Sequence, residues 1–277
     1  MSAEAAGAGA QEPGLEAEPA RALLGAYLAQ ARETPLADAE ITRRRLAIRA
    51  LVLASSAHVD GPDFRAVHPQ DLRRMLAAYD QEFFAARLGP ALAGHPLRLA
   101  FSRRLTSAGG RTLQRRRRLP DGSLGPSDYE IRFSSLLLFE SFVPGGPEAR
   151  LVGLPCTDRL DALQRILEHE LVHLAELLVH GDSSCKRAPF RLVARGLFGH
   201  LEHTHGLVTP TRKAAEVLGI RRGDRVRFEF DGAWLEGRVN RITRRATVLV
   251  EDPEGEPYSD GRRYRKYLVP LGRLVPA

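Results

Sequence analysis

The sequence predicts an α+β protein in two parts: helices with a small antiparallel sheet, followed by a small closed β-barrel. Three observations carry this. Apolar residues recur at three and four through Leu23, Leu24, Tyr27 and Leu28, and again through Leu72, Met75, Leu76, Tyr79 and Phe83, the period of a helix with one buried face. Near residue 97 the pattern turns to alternation for two or three strands. Beyond Thr209–Pro210 the period is two to the end of the chain.

Taken in order, Glu18 to about Ser55 reads as helical, and a second helix runs from Pro69 to Leu88, ended by Gly89–Pro90. "HPLRLAFSRRLTSAGGRTLQRRRRL" alternates, and Gly109–Gly110 offers a hairpin turn between two strands. "YEIRFSS" is a third strand and "LLLFESF" a short helix. The run Arg115–Arg118 suits a solvated edge strand as well as an electrostatic contact. The strongest helix lies in "PCTDRLDALQRILEHELVHLAELLVHG", with Thr157 or Asp158 to cap it and Gly181 to stop it. Phe190–Phe198 forms another, broken by Gly199. "DRVRFEF", "WLEGRVNRI", "RATVLVED" and "YRKYLVPL" are short strands, enough for a barrel of SH3-like size.

With 277 residues, 43% hydrophobic and 27% charged, the chain can bury a full core. No apolar run approaches the roughly 18 residues that cross a bilayer. The Ala/Gly/Glu/Pro-rich residues 1–17 lack the pattern of a secretory signal and are expected to be a disordered extension. Two cysteines, Cys156 and Cys185, make no disulfide framework. A reducing, cytoplasmic setting is therefore expected, with each thiol free to be a buried side chain or a metal ligand. The formal charge of +7 is nearly all arginine, which suits a polyanionic partner without demanding one.

Six of the nine histidines fall between Glu168 and His205, and residues 169–173 read H-E-L-V-H. Four residues is about one helical turn, so His169 and His173 can present both imidazoles to one ion. Glu170 stands beside them, where its carboxylate can take a proton from zinc-bound water. A chance H-E-x-x-H arises on the order of once or twice in a hundred chains of this composition, and Leu171, Val172 and Leu174 make a solvated surface helix a poor explanation. The third ligand is open at this point. His180 and Glu176 lie on the same helix as His173, and one straight helix rarely supplies three ligands. Cys185, His200, His203 and His205 come after the chain turns back, and each can approach from another element.

From Leu72 to Leu207 the chain resembles a SprT-like metalloprotease domain, through "AAYDQEFF", "RLAFSRRLTSAGG", "YEIRFSSLLL", "HELVH" and "SSCKRAPFRLVARGLFGHLEHTH". Such domains carry a third zinc-binding His in a "GHG..F" or "SHG..F" segment after the helix. Here Phe190 matches the trailing Phe, and Cys185 takes the place of that His. The resemblance implies a zincin-like fold over residues 18–208, ahead of the barrel at 209–277. It also implies zinc held by His169, His173 and Cys185, and hydrolysis of peptide bonds in a protein or peptide substrate with Glu170 as general base. A thiolate is a good zinc ligand, although the charge it donates leaves bound water less acidic.

The last quarter, Arg212–Ala277, holds fifteen Arg/Lys against ten Asp/Glu, so +5 of the +7 falls there. Arg238, Arg241, Arg244 and Arg245 cluster near a hairpin end, and Arg262, Arg263, Arg265 and Lys266 interleave with Tyr264 and Tyr267. With Trp234 these side chains suit stacking on bases and contact with phosphates. A barrel with core aromatics and solvated arginines accounts for the same residues. The rival to a peptidase is a zinc-stabilised binding module without hydrolysis, which has less need of an acid beside its first histidine.

Overall fold

The computed structural model describes residues 17–118, 120, 122, 124–142, 149–204, 207 and 209–277. The expected N-terminal extension (apart from residue 17) and His205 lie outside them. The chain divides into two compact units. One comprises residues 1–105 and 109–206, the other 106–108 and 207–277. Both together make a mixed α+β protein, and no described helix is long and apolar enough to cross a membrane.

The first unit opens with α1 (Ala17–Glu33) and α2 (Asp38–Ser55). The single helical stretch read from sequence is thus two helices, broken around Pro35, where proline removes a backbone donor. Helix α3 (Pro69–Phe84) starts on a capping box in which the His68 ring accepts from Gln70 N and Asp71 reaches back to His68 N. After the short α4 (Leu88–Ala91) come strands β1 (Leu97–Ser102), β2 (Gly110–Arg118) and β3 (Leu124–Ser134).

Their order, β1-β3-β2, corrects two expectations. Gly109–Gly110 does not close a hairpin, since β1 and β2 are not neighbours. The sheet is also mixed rather than antiparallel, because β1 runs parallel to β3 and β3 antiparallel to β2. The hairpin joins β2 to β3 instead. Strand β2 is an edge, as its arginine run suggested, and Arg115 pairs there with Glu130 at 3.3 Å.

Helix α5 (Ser135–Glu140) and the small hairpin of β4 (Ala149–Leu151) and β5 (Leu154–Cys156) lead to α6 (Arg159–His180). The Asp158 carboxylate accepts from Asp161 N at 2.9 Å and grips Arg49 of α2 through both its oxygens. Gly181, at φ 70°, ends the helix. Leu160, Leu163, Ile166, Leu167, Leu171, Leu174 and Leu178 are all buried. Apolar burial at so many positions means that α6 is enclosed on most sides. Helix α7 (Ala188–Phe198) follows after a seven-residue turn.

The second unit begins with α8 (Pro210–Val217), which period-two reading overlooks. Thr209 caps it, and Pro210 sits where a missing N–H costs nothing. Then come β6 (Arg225–Phe230), β7 (Ala233–Ile242), β8 (Arg245–Pro257), β9 (Arg263–Pro270), a 3-10 turn at Leu271–Arg273 and β10 (Val275–Pro276). They form one antiparallel sheet in the order β10-β6-β7-β8-β9, over a core including Val226, Phe228, Val239, Val248 and Val269. The ladder ends at β9 and β10, so its hydrogen bonds are not continuous around a closed barrel.

Candidate metal centre

His169 and His173 stand one turn apart on α6 with ring centroids 5.0 Å apart. Phe190, the first aromatic of α7, packs on both rings at 4.9 and 4.4 Å, and so fixes the planes of the two imidazoles. The turn between α6 and α7 brings Cys185 to the same place. One donor atom from each of His169, His173 and Cys185 lies within 4.8 Å of the others, a group that could hold a metal ion. Around one tetrahedral ion such atoms stand roughly 3.3–3.7 Å apart, so closing on it takes side-chain rotation rather than refolding.

The neighbouring hydrogen bonds prepare His173 for that task. Ser183 Oγ donates to the Glu176 carboxylate at 2.6 Å. Its only proton is thereby used, so at 2.7 Å it accepts from His173 Nδ1. The proton is fixed on Nδ1, and the Nε2 lone pair is available to a metal. Burial pushes the His173 pKa down to about 4, so the ring is neutral at pH 7. Burial raises the Cys185 thiol, and a bound cation has to drive off that proton.

Glu170 is buried on the side of α6 that faces β2. Thr112 Oγ1 donates to Glu170 Oε2 at 2.7 Å. A Cβ at Gly110 would stand 2.6 Å from Glu170 Oε1 and 2.7 Å from its Cγ. The glycine read from sequence as a turn residue therefore makes room for this carboxylate. Burial pushes the Glu170 pKa up to about 7, against the Thr112 hydrogen bond.

The residue before the motif has a different role that the sequence reading missed. Glu168 is fully buried, and its carboxylate accepts from Arg45 Nε and Nη2 at 2.6 and 2.7 Å and from the Tyr79 hydroxyl at 2.8 Å. Its fourth contact is His200 Nε2 at 2.9 Å. His200, one of the alternatives to Cys185, is thus committed to Glu168 and stands outside the donor group. A charged residue among the apolar positions of α6 was the available signal. Its partners on α2, α3 and the end of α7 were not readable. His203 is also outside the donor group, among the described residues. Cys156 is buried, which pushes its thiol up to about 12.

In the second unit the basic run that leads into β9 is largely neutralised by the chain's own acids. Arg262 pairs with Glu251, Arg265 with Asp252 and Lys266 with Glu256. Arg238, Arg241, Arg244 and Arg245 are exposed and have no ion-pair partner among the described residues. Trp234 is 62% exposed and so is not a core aromatic.

In comparisons with family models, with curated proteins and with solved structures, nothing matches this chain. The site is therefore defined by its own chemistry, as a two-histidine, one-thiol donor group with a buried carboxyl beside it.

Proposed function

We propose that the chain is a zinc-dependent metallopeptidase of the SprT-like kind, with a zincin-like domain over residues 18–208 and an SH3-like barrel over 209–277. The observation that carries this reading is the convergence of His169, His173 and Cys185 beside the buried Glu170 carboxyl. Imidazole and thiolate together favour zinc over the hard oxygen-seeking cations. Zinc bound there would supply Lewis acidity toward the scissile carbonyl and the attacking water.

The chain's own residues supply the rest. Thr112 occupies Glu170 Oε2, which orients the carboxylate and leaves Oε1 to take a proton from water and pass it to the leaving amine. A carboxyl whose pKa is near 7 is matched to that exchange. A nearby cation draws that pKa down and favours the base form. Ser183 and Glu176 keep His173 in the metal-binding tautomer.

A specific observation also favours the second reading, a zinc-stabilised binding module without hydrolysis: one donor is a thiolate, which weakens the Lewis acid. Zinc stoichiometry with X-ray absorption, together with proteolysis of an unfolded protein substrate, separates the two. One zinc with a single sulfur, two imidazoles and an oxygen supports the peptidase. Glu170→Gln should then keep the metal and lose on the order of 10²–10⁴ in rate. A coordination sphere without oxygen, or a wild-type protein as inactive as Glu170→Gln, supports the binding module. A protein without zinc overturns both readings. Nucleic acid remains a proposed partner for the unpaired arginines of the β7–β8 hairpin.

A further inference from the structure

The chain's single tryptophan is in the second unit, at the tip of the β6–β7 hairpin. It stands directly opposite Glu229 in the ladder, so the two side chains share a face about 5 Å apart. The two-residue turn Asp231–Gly232 follows at the tip. Beside them, Gly272 and the half-exposed Val275 complete a groove of about 470 Å³. Neither Glu229 nor Asp231 has an ion-pair partner among the described residues, in a unit whose other acids are mostly paired. Arg273 also borders the groove but forms an ion pair with neither carboxylate among the described residues.

An indole face left in water beside two uncompensated carboxylates has a definite complement. A planar cation stacks on the ring while its N–H groups reach the acids. We propose that this groove is a docking site for an arginine-bearing basic segment of a partner protein. Guanidinium fits better than ammonium because it stacks and donates in a fork at once. The unit's net positive charge does not forbid this. At physiological ionic strength screening acts over about 8 Å, so more distant arginines count for little, and at the groove itself two carboxylates stand against the one guanidinium of Arg273. The proposal is independent of the peptidase reading.

Because Trp234 is the only tryptophan, its emission in the full-length protein reports this groove alone. Three probes would be titrated at 0.15 M salt: acetyl-Gly-Arg-Gly-Arg-Gly-amide, the same peptide with citrulline for arginine, and a single-stranded oligothymidine. The arginine peptide should give a saturable change in emission, with the citrulline peptide at least tenfold weaker. Glu229→Gln with Asp231→Asn should lose at least tenfold in affinity for the arginine peptide. Asn tolerates the φ of 48° at residue 231, so an unchanged melting curve would certify that the variant folds. Equal binding of the arginine and citrulline peptides, unchanged binding by the double variant, a response to the oligonucleotide alone, or no response at all would each overturn the proposal.

Discussion

At the scale of single residues, the candidate centre depends on side chains that never touch the ion. Ser183 is one. Replacing it by Ala removes the acceptor that fixes the His173 tautomer, and loss of such an outer partner typically weakens metal binding 10–100-fold. A competition titration with a zinc chelator would measure this, and an unchanged affinity would remove Ser183 from the site. Cys185→Ala should go further and abolish tight binding. Gly110→Ala tests the other side. Its methyl group would meet Glu170 within 2.6 Å, so hydrolysis should fall toward the level of Glu170→Gln while zinc content stays at the wild-type value. Loss of both together would mean that the substitution disturbs α6 as a whole.

At the scale of elements, α6 is tied to its neighbours by charge as well as by apolar packing. Burial works against the Glu168 charge, yet the Arg45 guanidinium and the His200 hydrogen bond hold its carboxyl well below the ordinary range. A depressed folded-state pKa gives stability that is present above the unfolded value, near 4, and is lost as pH falls toward the folded one. Arg45→Met takes away the guanidinium and leaves the buried carboxylate only the Tyr79 and His200 hydrogen bonds, which should cost about 3–5 kcal/mol at pH 7. Glu168 then titrates closer to its unfolded value, so the variant's stability should fall less steeply below about pH 4. Denaturant melts of both proteins from pH 7 to pH 3 would show this, and parallel pH dependences would mean that the ion pair carries no net linkage. The contact of α1 with α7 is steric. A Cβ at Gly196 would lie 1.9 Å from Ala31 O, so Gly196→Ala has to push the two helices apart.

At the scale of the molecule, the two units have separate cores, and the donor group belongs to the first alone. Calorimetry should resolve two unfolding transitions. A metal at 1,000 times its Kd contributes about 4 kcal/mol to the unit that holds it. Chelation should therefore lower one melting transition and leave the other in place. A single transition that shifts as a whole would show the units to be thermodynamically coupled.

Much of this was legible in the chain itself. The helix carrying His169 and His173, a cap at Thr157 or Asp158 (Asp158 in the structure) and its stop at Gly181 follow from local spacing and backbone preference, which act over a few residues. Cys185 was reached through a resemblance and stands in the donor group. The parallel pairing of β1 with β3, the place of Gly110 against Glu170, the Glu168–Arg45–Tyr79–His200 cluster and the exposed groove at Trp234 were not legible. Each depends on residues far apart in sequence that meet only after packing. Periodicity reports which face of an element is buried, and it carries no record of what that face is buried against.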